Sequence, residues 1–376
     1  MKVKNIVFID SYFKGLYGAP KSMLELAEGV FERGHNVTIV SSKNDHLLQQ
    51  AKASNLATFS LNVPQAALLS RGELNYSKKL LYVFSLVAMW FKCLWSDPFK
   101  KADSICVNDI RSFLLVLPLI YKHRNKIIWY VRINDRVKFI SSIATYLSSQ
   151  IILISSDCIK AFTDKECKKY KHKFSVVNTG FNINFNELDD VEKYHNEDDC
   201  VFVSVGSICP RKNQFAIIEA FNLLPMENKF LYLIGSPTNE EDNFYLDLIL
   251  GHIDKLRLNK KIKCISYTNS VKSYLSFSNI FLFASHKEGL PRVLIEALLA
   301  GCFVVSAKVD GVYAIINNEK LGLVSISAQN NSFVKEFSLQ IAEAVKKDIN
   351  KDEIIKISQD KFTYSKFVSL FLEKCD

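Results

Sequence analysis

Strand and helix patterns alternate along this chain in two successive series, and no other feature of the sequence narrows the fold as far. "IVFID" (6–10) is a short apolar run of the kind a parallel strand shows when both its faces are buried. "KSMLELAEGVFERG" (21–34) follows, with Met23, Leu24, Ala27, Val30 and Phe31 at helical spacing and Gly34 where a helix-ending glycine belongs. "VTIV" (37–40) is the next strand, which completes a β-α-β unit. Further strands fit 102–108, 127–131 and 151–155. A second series opens at "VFVSVG" (201–206) and continues at 230–235, 262–266, 280–285 and 303–307, with helical patterns such as "NQFAIIEAFNLL" (213–224) between them. The stretch joining the series, "NELDDVEKYHNEDD" (186–199), is acidic, polar and almost free of large apolar residues, a linker composition. The expectation is an α/β protein of two Rossmann-like parallel-sheet domains facing each other across a cleft, divided at residue 184/185. A length of 376 residues fits two domains.

Charge separates the same halves. Residues 1–184 hold 26 Lys and Arg against 13 Asp and Glu, a net +13, whereas residues 185–376 hold 22 against 26, a net −4. A basic first half suits an anionic membrane surface or a phosphorylated substrate as well as a solvated lysine-rich face. Nucleic acid is not expected, because no helix-turn-helix, zinc or RNA-binding signature accompanies the basic half. The nine cysteines form no C-x-x-C pair, which fits reduced, mostly buried thiols in a cytoplasmic protein. The apolar run at the N-terminus stops at Asp10, too short for a signal peptide. The longest apolar stretch, "LLYVFSLVAMWFKCLW" (80–95), is interrupted by Lys92 and falls short of a spanning helix. Lys78, Lys79, Lys100 and Lys101 around it, with Trp90 and Trp95, suit a helix lying in a bilayer interface. The apolar composition narrowly favours the competing reading, a core helix of the first domain.

In open parallel sheets, ligands sit beyond the carboxyl ends of the strands, so functional residues are sought in the loops that follow them. After "IFLFAS" (280–285) comes "HKEGLPRVLIEALLAG" (286–301). Pro291 suits the first position of a helix, and Gly301 its end. The helix is apolar on every side except at Glu296, which predicts burial and therefore a need for partners: backbone amides, Arg292, or the hydroxyls of a ligand. Glu288 lies in the loop before the proline, where Gly289 gives the chain freedom to curl towards the same place. The N–H groups that open the helix add an anion site. Two acceptor carboxylates beside such an end suit hydroxyls next to a phosphate, as in a sugar nucleotide. The plainer alternative makes Glu296 an internally satisfied charge and Glu288 an exposed loop residue.

"EGLPRVLIEALLAG" (288–301) resembles the E-x7-E signature of retaining glycosyltransferases of the GT-B fold, glycosyltransferase family 4. Other stretches resemble that family in the expected order: "YGAPKSMLELAEGVFERGHNVTIVSS" (17–42) its glycine loop and first helix, "VVNTGFNI" (176–183) the approach to its linker, "VSVGSICPRKNQFAIIEAFNLL" (203–224) the opening of its second domain, and "DGVYAII" (310–316) the segment after the E-x7-E helix. The resemblance covers nearly the whole chain. It implies that Glu296 holds the ribose hydroxyls of the nucleotide and Glu288 the hydroxyls of the transferred sugar. Gly289 and Leu290 would present backbone amides, Lys212 with Arg211 would neutralise the departing diphosphate, and Gly18 would let the backbone approach phosphates or acceptor. The C-terminal helix (361–376) would return to the first domain, leaving 185–360 as the donor domain. Cations aimed at the developing diphosphate charge supply what a metal otherwise would. No metal or other cofactor is expected, since no D-x-D lies between the domains.

Two positions depart from the family pattern. Ser207 follows Gly206 where many members carry an arginine, and Arg132 stands where many carry a histidine. Arginine cannot act as a general base, but it can bind an anionic acceptor or phosphate; its plainer role is a salt bridge with Asp135 or Asp109. The expected function is transfer of a sugar from a nucleotide-diphosphate sugar to a glycan or lipid-linked acceptor in cell-surface polysaccharide synthesis (lipopolysaccharide or capsule). The expected location is cytoplasmic, peripheral at the inner face of the cell membrane. The competing readings are an inactive partner subunit of the same fold and a synthase acting on a soluble acceptor.

Overall fold

The computed structural model describes residues 2–11, 18–43, 46–68, 75–181 and 188–375. The chain divides into two compact units, Met1–Gly180 with Tyr364–Asp376, and Phe181–Thr363. The change-over falls at 180/181 and 363/364, rather than 184/185 and 360/361. The Phe181 N–H donates to the Phe362 carbonyl at 3.1 Å, and Phe181 forms an isolated parallel bridge with Thr363, so both belong to the second unit.

The first unit is built on a seven-stranded sheet of β1 (Asn5–Asp10), β2 (Asn36–Ser41), β3 (Ala57–Ser60), β4 (Ser104–Val107), β5 (Ile127–Val131), β6 (Gln150–Leu153) and β7 (Phe174–Val176). Their order is β3-β2-β1-β4-β5-β6-β7, with every pairing parallel. The second sheet contains β8 (Cys200–Val205), β9 (Lys229–Ile234), β10 (Ile262–Ile265), β11 (Ile280–Phe283), β12 (Phe303–Ser306) and β13 (Gly322–Val324), ordered β10-β9-β8-β11-β12-β13 and again wholly parallel. Central strands such as β4, β5 and β11 are buried along their length, as sheets covered on both faces require. In each sheet the order reverses beside the first strand, between β1 and β4 and between β8 and β11. Those reversals are where open α/β sheets bind ligands, outside the carboxyl ends of the strands.

The helix Ala19–Glu32 packs on the first sheet, and the C-terminal helix Tyr364–Leu372 packs on it in turn. The Tyr364 hydroxyl donates to the Glu25 carbonyl at 2.6 Å, Arg33 donates to Ser365 and Ser369, and Phe371 stacks on Phe8 with ring centres 5.4 Å apart. Gly29 permits this approach. A Cβ there would lie 2.5 Å from Val368 Cγ2 and 2.7 Å from the Tyr364 hydroxyl.

The helix Tyr76–Trp95 is not enclosed in the core, contrary to the favoured sequence reading. Only Ser85, Leu86, Met89 and Cys93 are fully buried, and Trp90 donates its indole N–H to the Leu114 carbonyl at 2.8 Å. Uniform apolarity does predict burial, but here one side of the helix satisfies it and the other does not.

Candidate functional site

The loops after β8 and β11 meet at the reversal of the second sheet. After β8 the chain passes Gly206 and enters a short turn, Pro210–Lys212, ended by Asn213 in the left-handed conformation. The helix Gln214–Asn222 follows. After β11 it runs through Ser285–Leu290 to the helix Arg292–Leu299, with Pro291 as its N-cap rather than its first helical residue. The two loops are bonded backbone to backbone and side chain to backbone. The His286 N–H donates to the Arg211 carbonyl at 2.9 Å, and an Arg211 guanidinium N–H donates to the Lys287 carbonyl at 2.9 Å.

Glu288 is the hub. Its Oε1 accepts from Lys212 Nζ at 2.7 Å, Arg211 Nη1 at 2.9 Å and Ser285 Oγ at 2.7 Å. The Glu288 and Lys212 side chains are 15% and 16% exposed, so this pair is largely withdrawn from water, while Arg211 is half-exposed. Burial alone would raise the Glu288 carboxyl. The Lys212 ammonium and the Arg211 guanidinium, with the hydrogen bonds from Lys212 and Ser285, outweigh it and hold the carboxyl below its ordinary value. The Lys212 ammonium also lies 5.5 Å from the centre of the Phe283 ring. Its stem passes beside Gly206, where a Cβ would come within 3.4 Å of Cε. The turn from Gly289 to Leu290 is backed by Gly311, whose φ of 82° and hypothetical Cβ, 2.2 Å from the Gly289 carbonyl oxygen, leave no room for a larger residue.

Glu296 is placed differently from the sequence expectation. It is half-buried, on the same side of its helix as Arg292 and Val293, because residues three and four apart share a face. Its carboxylate forms no hydrogen bond or ion pair among the described residues, and Arg292 lies over the ring of Phe181 at 4.4 Å instead of pairing with it. The premise of a buried carboxylate needing an internal partner is therefore corrected. Glu296 is an acceptor open to an external one.

Gly18 and Arg132 belong to the first unit. Gly18, at φ 51°, precedes the helix Ala19–Glu32 with no side-chain cap; the rest of its loop, 12–17, lies outside the described residues. Arg132 follows β5 and enters a network at the carboxyl ends of β1, β4 and β5. It donates to Asn108 Oδ1 at 2.7 Å and Ser22 Oγ at 3.0 Å, and its guanidinium covers the Tyr130 ring at 3.7 Å. Asn108 in turn donates to Asp10, and Ser22 shares a hydrogen bond with Thr179. Asp109 is no partner of Arg132: it accepts from Ser11 and caps the helix Ile110–Leu115 through the Ser112 N–H. Among the described residues no group of three or more His, Cys, Asp and Glu side chains is placed to hold a metal ion.

Ser285 and Gly311 are site residues that sequence reasoning did not single out. Ser285 is one buried serine among many, and only its bond to Glu288 distinguishes it. Gly311 sits in the quoted "DGVYAII" stretch, but its role is a clash avoided across a fold, which spacing does not reveal.

Residues 186–361 match the family model described as glycosyl transferases group 1. The matched residues take in the whole of the second sheet. The chain is 28% identical over 177 residues to the capsular polysaccharide biosynthesis glycosyltransferase CapH of Staphylococcus aureus, covering 46% of this chain and 47% of that one. It is 27% identical over 205 residues to an N-acetylgalactosaminyltransferase of Campylobacter jejuni whose name specifies a diphospho-undecaprenol-linked acceptor, covering 52% of each. The chain thus spans about half the length of these curated relatives. Among solved structures, Anabaena HepE with UDP and glucose superposes with a TM-score of 0.74 at 16% identity, covering 98% of both chains. A Rickettsia africae glycosyltransferase gives 0.77 at 14% identity, covering 100% of this chain and 98% of that one. These likenesses establish the GT-B fold, and the residues matched by the family model include the Glu288 cluster.

Proposed function

We propose that the chain is a glycosyltransferase that takes a sugar from a nucleotide-diphosphate sugar and delivers it to a glycan or lipid-linked acceptor in cell-surface polysaccharide synthesis. The observation that carries this reading is the cluster of Lys212, Arg211 and Glu288 at the β8/β11 reversal. The anomeric carbon–oxygen bond to the β-phosphate breaks, and an acceptor hydroxyl bonds to that carbon. The hydroxyl's proton goes to the departing phosphate. Charge develops on the diphosphate, and two cations already fixed by Glu288, Lys212 largely withdrawn from water and Arg211 half-exposed, stabilise it without reorganising. Held ionised by those cations, Glu288 can accept hydroxyls of the sugar, and Oε2, which takes none of the three bonds, is free to do so. Glu296, open and unpartnered among the described residues, suits the ribose diol of the nucleotide. Retention of configuration is part of the proposal and rests on the E-x7-E resemblance.

The acceptor class is argued from the relatives, whose names place them in capsule synthesis and on undecaprenol-linked glycans. Arg132, in a polar network at the mouth of the first sheet, suits an anionic group on that acceptor.

The test is a thermal-shift panel of UDP-, GDP-, ADP- and TDP-sugars on the whole chain, with Glu296→Ala and Lys212→Ala alongside. A ligand at a hundred times its Kd adds about 2.7 kcal/mol, a shift of several degrees. Stabilisation by one nucleotide series, weakened in Glu296→Ala and largely kept in Lys212→Ala, supports the reading and names the base. A folded protein that none of them stabilises would favour an inactive subunit of the same fold.

A further inference from the structure

The helix Tyr76–Trp95 carries two apolar stripes on opposite faces. Tyr82, Leu86, Met89 and Cys93 are spaced by four, three and four, and face the protein. Leu80, Phe84, Val87, Phe91 and Leu94 repeat the same spacing two residues out of phase, about 200° around the helix, and face solvent. Leu80 and Phe84 are each 72% exposed and Phe91 64%. This outer stripe runs about 21 Å along the axis. Leu81, Val83 and Ala88 widen it. An apolar face of this extent on a water-soluble surface marks a contact with something apolar.

Its surroundings say what. The aromatic residues with polar tips stand at the two ends, Tyr76 at 90% and Trp95 at 91% exposure, while Phe, Leu and Val fill the middle. Lysines bracket it: Lys78 and Lys79 in the first turn, Lys100 and Lys101 just beyond the last, all exposed. From residue 75 to 101 five lysines face one acid, Asp97, and that carboxylate is already taken by Lys122 at 2.8 Å and His123 at 2.9 Å. A protein partner read in the same way would have to supply acidic groups at both ends and nothing but apolar surface between. An anionic lipid surface supplies that pattern by its construction. No helix among the described residues is long and apolar enough to cross a membrane, so the arrangement is one that lies on a bilayer. The geometry points to the outer face of the helix 76–95 as a docking surface for an anionic lipid bilayer, with the apolar stripe entering the headgroup boundary and the flanking lysines meeting phosphate. This inference does not depend on the proposed transfer reaction.

The experiment is co-sedimentation of the whole chain with vesicles of phosphatidylglycerol and phosphatidylethanolamine, and with phosphatidylcholine vesicles, across a salt series without nucleotide sugar. Two variants accompany it: Phe84→Glu with Phe91→Glu, and Lys78, Lys79, Lys100 and Lys101 each changed to Glu. All six side chains are exposed, and unchanged circular dichroism and melting confirm folding. The expected result is binding to the anionic vesicles that weakens with salt, falls at least tenfold in the phenylalanine variant, and falls likewise in the lysine variant. No sedimentation of the wild type at low salt overturns the proposal. So does undiminished binding by the phenylalanine variant, or equal, salt-independent binding to phosphatidylcholine. A wild type that is dimeric by light scattering, monomeric as the phenylalanine variant and blind to vesicles would assign the face to a second copy instead.

Discussion

At the residue scale, two kinds of charge act differently. Lys212 and Arg211 are held by a carboxylate largely closed to water, whereas Glu296 stands half-buried with no partner of its own among the described residues. Under the proposed reaction this predicts a kinetic split. Lys212→Ala removes stabilisation of charge that forms only as the diphosphate leaves, and lowers kcat by about 10²–10³. Glu296→Ala removes contacts made equally in ground and transition states, and raises the nucleotide-sugar KM by about ten- to a hundredfold with little change in kcat. Steady-state kinetics with the donor found in the thermal panel checks both; equal effects on kcat in the two variants would sink the division of roles. Glu288 was legible in sequence because it follows a strand of a parallel sheet and carries a charge, whereas Lys212 and Arg211 were singled out by the family resemblance. Glu296's environment was misread because helix composition was taken to mean enclosure, and composition does not say which faces find neighbours.

A second residue-scale prediction concerns pH. Glu166 receives both arms of Arg136, at 2.7 and 3.0 Å, and completes a capping box with Thr163 at the start of the helix Asp164–Lys169. Burial pushes its carboxyl up, but the bonds from Arg136, Thr163 and Ser142 prevail and bring it down to about 2 from an ordinary 4.5. A carboxyl lowered on folding contributes stability that is complete above its ordinary value and is lost as pH falls towards the folded one. Glu166→Gln is expected to cost roughly 2 kcal/mol near neutrality. The gap from wild type, read from urea midpoints, closes as pH is lowered from about 5 towards 2. A gap that stays constant over that range would show the loss to be steric.

At the element scale, the strands buried on both faces announced themselves as continuous apolar runs. Three of the four edge strands did not: β3 is "ATFS", β7 "FSV" and β13 "GLV", each too short or too polar to stand out from a loop. The helix 76–95 was visible as a helix, but its second stripe resembles core until its neighbours are known. Helix Ala19–Glu32 yields the clearest prediction here. In an exposed helix, Gly→Ala stabilises by about 1 kcal/mol. At Gly29 the sign reverses, since the new Cβ would enter Val368 and Tyr364 at 2.5–2.9 Å. Gly29→Ala is expected to destabilise by about 1–3 kcal/mol through overpacking, measured as a lower urea midpoint. An unchanged or higher midpoint would show that the helix 364–372 yields freely.

At the scale of the whole molecule, the second unit is one unbroken stretch and the first is not. Residues 181–363 produced alone are expected to melt in a single cooperative transition, with Phe181 and Thr363 still bridged at their ends. Residues 1–180 alone lack the partner of Gly29, Glu25 and Phe8, and are expected to melt well below the same transition in the full chain. Equal melting temperatures would show that residues 364–376 add nothing to the first unit. The division also sets a timetable for synthesis. The groove on the helix 19–32 is made early, but the residues that fill it come after the whole second unit. At roughly 5–20 residues per second, that leaves the groove open for about 10–40 s. During that interval the nascent first unit has an apolar seam with no occupant of its own, and a holding chaperone has its clearest claim on the chain.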